Sequence, residues 1–571
     1  MWSASLRDPR SIIVAQSVDE VIPLVRAAEA AAKSGSWVAL AISYDAAPAF
    51  DDALDTHREA QFPLVWCGIF DERSSVAIPQ DRFEVAPFAP ALPAGEYLAG
   101  IEAIRAYIAA GDTYQVNYTF PLRGSVSGDL FSCFQTVARS QGAGYSAYLD
   151  IGTHRILSFS PELFFQREGM KLTTKPMKGT ARRGRWIEED DAHVVRLAAS
   201  EKDRAENVMI VDLLRNDLGR VAEVGSVKVP ALFVVERFNR VLQMTSTVTA
   251  TQKPDADLVS VLSALFPCGS VTGAPKVRSM QIIKELEPHP RGIYTGAIGL
   301  LSPNGDMVFN VAIRTLAVEA SSDRATLGVG GGITWESTVE GEYEESLLKA
   351  SFLTERWPEF SLLETLALVE GEYKLLDRHL ARAADSARYF GFVFRETTVR
   401  EALDSVARSN PTGEWRVRLL IDSEGNAQAE WKPLGAKRDT PLRVRISPNA
   451  IDEQDPLIFH KISARERYDT ALAECQPCDD VIFTNSRGEI TESTIANVVV
   501  ELDGKKWTPP REAGLLAGTM RDDLLARGEL FERTITVEEL ERVGTFWLVN
   551  SVRGWMAAKL DEELNTRSAS R

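Results

Sequence analysis

The sequence predicts a mixed α/β protein built in two parts that meet near residue 358. Three observations lead there. β-rich stretches such as "RVLQMTSTVTAT" and "TLGVGGGITW" alternate with amphipathic helical ones, and "AENVMIVDLLRNDLGRV" is the plainest helix. In it Met209, Ile210, Leu213, Leu214 and Leu218 recur at helical spacing and make one apolar stripe. A charged helical pattern then ends around "FLTERWPEFSLLETL", and "LALVEGEYKLL" begins a strand, a turn and another strand. Finally, 44% apolar and 25% charged residues over 571 positions is an ordinary globular balance, with length for about four domain-sized units or fewer large ones. The parts are 1–357 and 358–571, with no repeat shared between them.

Composition narrows the function classes. A net charge of −17 argues against binding nucleic acid or an anionic membrane, while leaving room for an anionic substrate in a locally positive site. No run of about 18 uncharged apolar residues predicts a spanning helix. "MWSASLRDPRSIIV" lacks the basic start and apolar core of a signal peptide, so a soluble cytoplasmic protein is expected. Cys475 and Cys478 form a single C-x-x-C without a second pair or nearby histidines, which predicts ordinary thiols rather than a zinc site.

Two stretches raise chemical questions. In "TTKPMKGTARRG" (173–184), Gly179 permits close approach of backbone to a ligand and Pro176 stiffens the entry, so Lys178 reads as either a solvated charge or an amine held for chemistry. In "EGEYEESLLKASFL", read as a helix over about 340–353, Glu342, Glu345 and Lys349 share one face. That face is either solvated, with Lys349 relieving the repulsion, or a site for a hard divalent cation.

Eight motifs follow in one order: "GDTYQVNYT", "SFSPELFF", "KPMKGTARRG", "DRAENVMIVDLLRNDLGR", "FPCGSVTGAPKVRSM", "RGIYTGAIG", "FNVAIRT" and "GVGGGITWESTVEGEYEESLLKA". Together, over about 95–355, they resemble the chorismate-utilising family, which includes anthranilate synthase, isochorismate synthases and aminodeoxychorismate synthase component I. The resemblance implies a layered fold of antiparallel sheets packed face to face with helices outside. It implies Mg2+ on Glu206 and Glu345, with Glu342 close by. Chorismate would be bound by Arg314, Tyr294, Lys349, Ser270 and the backbone of Gly330, Gly331 and Gly332, with Glu162 as acid/base. Lysine at the Lys178 position resembles aminodeoxychorismate synthases, in which it attacks the ring, expels the 4-hydroxyl and is displaced by ammonia; anchoring a carboxylate is the other role open to it. Such an amine must be neutral, and Arg182, Arg183 and Arg185 are expected to help depress its pKa. Gln243 stands where many members have histidine before "MTST", and could hydrogen-bond substrate but not take up a proton. No glutaminase-type segment is recognised, so a separate glutamine amidotransferase subunit is expected to supply ammonia.

The second part carries "LLDRHLARAADSARYFGF", "LIFHKISARERYDTA", "DDVIFTNSRGEITESTIANVVV", "GLLAGTMRDDLL" and "TFWLVNSVRG". These resemble the class IV pyridoxal-phosphate enzymes, which include branched-chain and D-amino acid aminotransferases and aminodeoxychorismate lyase. The resemblance implies a fold of two small α/β domains, usually dimeric. Lys461 would bond the cofactor aldehyde and move protons, and Glu492 would face the pyridine nitrogen. Arg382 and the helix opening at Gly518-Thr519 would hold the phosphate, with Asn497 and Ser551 as further candidates. "LLET" follows the joint almost at once, so the small N-terminal domain is either trimmed or borrows a strand from the first part. The expected function is bifunctional: amination of chorismate at C4, then elimination of pyruvate to 4-aminobenzoate. The alternatives are the same synthase joined to an amino acid aminotransferase, or an anthranilate synthase component I. "ISYDAAPAF" resembles the family's effector-pocket region.

Overall fold

A computed structural model describes residues 4–58, 62–74, 81–142, 144–354 and 357–561. They form two compact units: Met1–Arg182 with Val194–Trp357, and Arg183–His193 with Pro358–Arg571. Among the described residues, no helix is long and apolar enough to cross a membrane.

The first unit holds a ten-stranded and an eight-stranded sheet, every described pairing antiparallel. Trp66, Phe70 and Ile298 of the larger sheet pack with Leu149 and Ile156 of the smaller one, the apolar layer expected between face-to-face sheets. Helix Glu201–Val221 covers the larger sheet, and its stripe is buried at Ile210, Leu214 and Leu218. Ser200 caps it by accepting from Asp203 N at 3.3 Å. The predicted helix over 340–353 is shorter: it runs Val339–Leu348, and a 3-10 turn follows at Ser351–Leu353. In the smaller sheet, Gln115–Gly128 pairs with Arg324–Ile333, setting Gly332 opposite Asn117 and Gly330 opposite Thr119.

The second unit contains a four-stranded sheet, ordered Glu372–Tyr373, Leu362–Val369, Glu414–Ile421 and Ala427–Pro433, and an eight-stranded one. In the latter, Ile490–Ser493 pairs with both Asp480–Thr484 and Asn497–Leu502, closing six strands into a ring. Every described strand of this unit comes from after residue 358, so no strand is borrowed from the first part. What it takes is Arg183–His193. Arg183 Nε meets Asp190 Oδ1 at 2.6 Å with both side chains buried, and Tyr389 donates to Gly184 O at 2.7 Å. Trp186 packs on Phe459 with ring centroids 4.9 Å apart.

Candidate functional site

Lys178 owes its direction to a β-bulge. Met177 pairs with Thr245 and Thr180 with Gln243, so strand Met177–Arg182 advances three residues while its partner advances two. An extra residue re-aims side chains and sharpens twist. Gly179 absorbs the distortion at φ +95°, which other residues rarely adopt. Asn207 Nδ2 donates to Lys178 O at 3.4 Å, and its Oδ1 accepts from Ser246 Oγ at 2.5 Å, fixing the backbone. A Cβ on Gly332 would stand 2.6 Å from Lys178 Nζ and 2.5 Å from Gln115 Nε2, so amine and amide converge on that glycine.

The electrostatics around Lys178 are mixed. Burial lowers its pKa, Glu206 opposes this and Lys349 adds to it, leaving the amine below the ordinary lysine range. Arg182, Arg183 and Arg185 are not among the causes, contrary to expectation. Arg183 and Arg185 lie in the second unit, on Asp190 and Glu189. Glu162 is buried and accepts from Ser270 Oγ at 2.7 Å; burial pushes its carboxyl up to about 7. Arg314, in a left-handed conformation at φ 47°, is pulled down to about 10 by burial and has no side-chain hydrogen bond or ion pair among the described residues.

Of the three expected metal carboxylates, Glu206 and Glu342 stand near enough to repel each other. Among the described residues no group of three histidine, cysteine or acidic side chains stands close enough to hold an ion. Glu345 is taken by Lys349 at 2.9 Å and Glu342 accepts from Ser337 Oγ at 2.6 Å, while Lys349 also donates to Gly330 O at 2.9 Å. Burial raises the Glu206 carboxyl, Lys178 and Lys202 moderate it, and Asp203 and Glu342 push it further. Tyr294 lies against Gly328 and lines a cavity of about 80 Å³ beside Arg291. Gln243 Nε2 is spent on Thr180 Oγ1 at 2.8 Å, holding the bulged strand. Gln115 was not singled out from its motif. It is fully buried and, among the described residues, neither amide atom is hydrogen-bonded, a property visible only once the strands are assembled.

In the second unit one cavity of about 540 Å³ is lined by all six expected residues: Arg382, Lys461, Glu492, Asn497, Thr519 and Ser551. Lys461 follows a 3-10 turn, Pro456–Phe459, rather than the strand-like run expected there, and its carbonyl accepts from Leu363 N at 2.9 Å. Its amine makes no hydrogen bond or ion pair among the described residues. Burial, then Arg382 and Arg465, bring it down to about 8. Glu492 is pushed up to about 7 by burial, although Tyr468 donates to it at 2.8 Å and Leu516 N at 3.2 Å.

The other four are tied into structure. Arg382 forks onto Glu364 at 2.9 and 2.6 Å and donates to Ala517 O at 3.2 Å. His379 Nδ1 meets Glu364 at 2.6 Å, and its Nε2 reaches Ser551 Oγ at 3.0 Å and Thr519 Oγ1 at 3.2 Å. Burial raises the Glu364 carboxyl, but Arg382 and His379 outweigh it and hold it at about 2. Asn497 bonds Leu516 O at 2.9 Å and Gly518 N at 3.1 Å, shaping the loop into helix Thr519–Ala526. Glu364, His379 and Tyr468 were missed in the sequence. The i, i+3 spacing of His379 and Arg382 was the available signal, but it needed the acid on a distant strand.

Residues 73–355 match the family model for chorismate binding enzyme, and residues 361–560 match the one for amino-transferase class IV. The chain carries a domain of the chorismate binding enzyme family followed by one of the amino-transferase class IV family. It is 41% identical over 275 residues to aminodeoxychorismate synthase component 1 of Bacillus subtilis, a match covering 48% of this chain and 56% of that one. Identity to the Escherichia coli protein of the same name is 44% over 256 residues, covering 45% and 56%. The chain thus spans about half the length of these curated relatives. The crystal structure of anthranilate synthase component I from Streptococcus pneumoniae aligns at TM-score 0.54 and 25% identity, covering 62% of this chain and 92% of that one. The class IV fold supports pyridoxal phosphate, and its cavity fits that group: a buried carboxylic acid suits a pyridine nitrogen, an unpartnered amine suits an aldehyde, and a helix N-terminus suits phosphate.

Proposed function

We propose that the chain makes 4-aminobenzoate in two steps. In the first, chorismate is aminated at C4 with ammonia delivered by a separate glutamine amidotransferase. The observation that carries it is the bulge-set Lys178 amine, depressed by burial and aimed with Gln115 at Gly332. Lys178 Nζ attacks the ring and the 4-hydroxyl leaves. Glu162, raised to about 7, gives that hydroxyl its proton so that it departs as water. Ammonia then forms the new C–N bond, the bond to Lys178 breaks and the lysine amine returns. Arg314 is the unpartnered cation for a substrate carboxylate. Magnesium enters this reading through Glu206 and Glu342, whose repulsion it would relieve while neutralising a carboxylate of the substrate.

In the second step the class IV part eliminates pyruvate. Pyridoxal phosphate, when bound, supplies an electron sink. Lys461, brought down to about 8, takes and returns protons near neutral pH, and Glu492 holds a proton at the ring-nitrogen end of the cavity. Two copies pairing through this part, as class IV enzymes do, completes the proposal.

The test is chorismate, ammonia and magnesium with the loaded protein, followed for 4-aminobenzoate and pyruvate. Lys178→Ala should stop chorismate consumption. Lys461→Ala should leave consumption intact, stop pyruvate release and let the aminated intermediate accumulate. Ortho-aminobenzoate from the wild type would instead support an anthranilate synthase, and keto-acid-dependent amino transfer would support an aminotransferase.

A further inference from the structure

The cavity of the class IV part has an excess of positive charge. Lysine and arginine outnumber carboxylates on its lining seven to three, in a chain of net charge −17. Four of the arginines are committed. Arg382 forks onto Glu364, Arg467 pairs with Asp455 at 2.6 Å, Arg553 donates to Gly435 O at 3.0 Å, and Arg465 holds Thr494 O and stacks on Tyr468. Arg416 and Arg418 are not committed: neither side chain makes a hydrogen bond or ion pair among the described residues.

The strand period sets these two on one face of Glu414–Ile421. Thr365, the cross-strand neighbour of Arg418, lines the same cavity. On the other side, exposed Glu430 stands opposite Arg418 without pairing to it, and Lys432 stands opposite Arg416. Like charges directly opposite destabilise a sheet, so this corner is suited to receiving anions.

We propose that Arg416 and Arg418 receive the carboxylates of a dicarboxylate substrate, giving the cavity its preference over amino acids with one carboxylate. The helix N-terminus at Gly518-Thr519, which suits a phosphate, belongs to a different element of the lining. Each planar guanidinium can fork onto one carboxylate. Arg416 is exposed and Arg418 half-buried, so a substrate with a single carboxylate leaves the second guanidinium to water, and the second fork is the margin by which a dicarboxylate is preferred. The inference rests on the pyruvate-eliminating reading of this cavity and supplies the recognition that reading needs, since aminodeoxychorismate carries two carboxylates.

The test uses the full chain loaded with pyridoxal phosphate and two inert probes, isophthalate with two carboxylates and benzoate with one, read by the change in the cofactor's visible absorbance. Isophthalate should bind tighter by roughly tenfold to a hundredfold. R416Q/R418Q should lose that preference while its absorbance before probe addition stays that of the wild type. R416K/R418K, which keeps charge without the fork, should keep part of it. If R416Q/R418Q fails to load cofactor, R416Q and R418Q singly should each narrow the preference. Equal binding of the two probes by the wild type, or a preference that survives R416Q/R418Q, overturns the inference. Pyruvate release is read separately. Dicarboxylate preference without pyruvate sinks the lyase reading alone, whereas pyruvate released by R416Q/R418Q at wild-type KM sinks this inference alone.

Discussion

Gly332→Ala isolates the geometry at Lys178. The added methyl would sit 2.6 Å from Lys178 Nζ, 2.5 Å from Gln115 Nε2 and 3.0 Å from Gln115 Cδ. Non-bonded heavy atoms need about 3.5 Å, so the amine must retreat by roughly 1 Å. A shift of that size in a reacting group costs about a hundredfold in rate. The fold should tolerate the change. The clashing atoms are ends of side chains rather than backbone, and Gly332 lies in a regular strand without positive φ. Stability should stay within about 1 kcal/mol of the wild type. The assay is ammonia-dependent consumption of chorismate beside thermal unfolding, with pyruvate release from supplied aminodeoxychorismate as the control. Wild-type consumption by a folded Gly332→Ala would refute the placement of the reacting carbon beside Lys178.

Three further outcomes are expected. Glu162→Gln should lower chorismate consumption by about a hundredfold, and in the wild type the rate should fall as pH rises through about 7, where the Glu162 carboxyl gives up its proton. Lys461→Met should stabilise the cofactor-free protein at pH 7 by about 1–3 kcal/mol in denaturant titrations. The native pKa of Lys461 is depressed from 10.5 to about 8, so its buried ammonium is a cost fully present below pH 8; the gain from the variant should shrink between pH 8 and 10.5. Asp190→Ala removes the buried carboxylate that faces the Arg183 guanidinium, leaving it only neutral contacts such as Tyr389 O, and should cost the second unit about 3 kcal/mol, seen as lost cofactor binding with chorismate consumption retained.

Much of the plan was legible in residue order. The β-rich stretches "RVLQMTSTVTAT" and "TLGVGGGITW" became strands Val241–Thr251 and Arg324–Ile333, and the stripe of Ile210, Leu214 and Leu218 became a buried helix face. These follow from local pattern, because alternation and helical spacing dictate which side chains leave water together. The six class IV residues were also readable as motifs, although each alone is an ordinary surface type.

Assembly decided what those residues can do. The bulge at Lys178–Gly179 is a register difference between two strands, and no single strand encodes it. Arg382 looked free for phosphate until Glu364, on a separate strand, came within 2.6 Å. Glu206, Glu342 and Glu345 share an acidic region, yet Lys349 and Ser337 take two of them, since hydrogen-bond partners are chosen by distance in space. The segment Arg183–His193 left its sequence neighbours for the second unit because the partners of Arg183, Gly184 and Trp186 are there. Sequence alone determined which chemistries were available and in what order along the chain. Tertiary structure decided which groups stayed unpartnered, because burial and a missing counter-charge arise only when distant strands close around the same space.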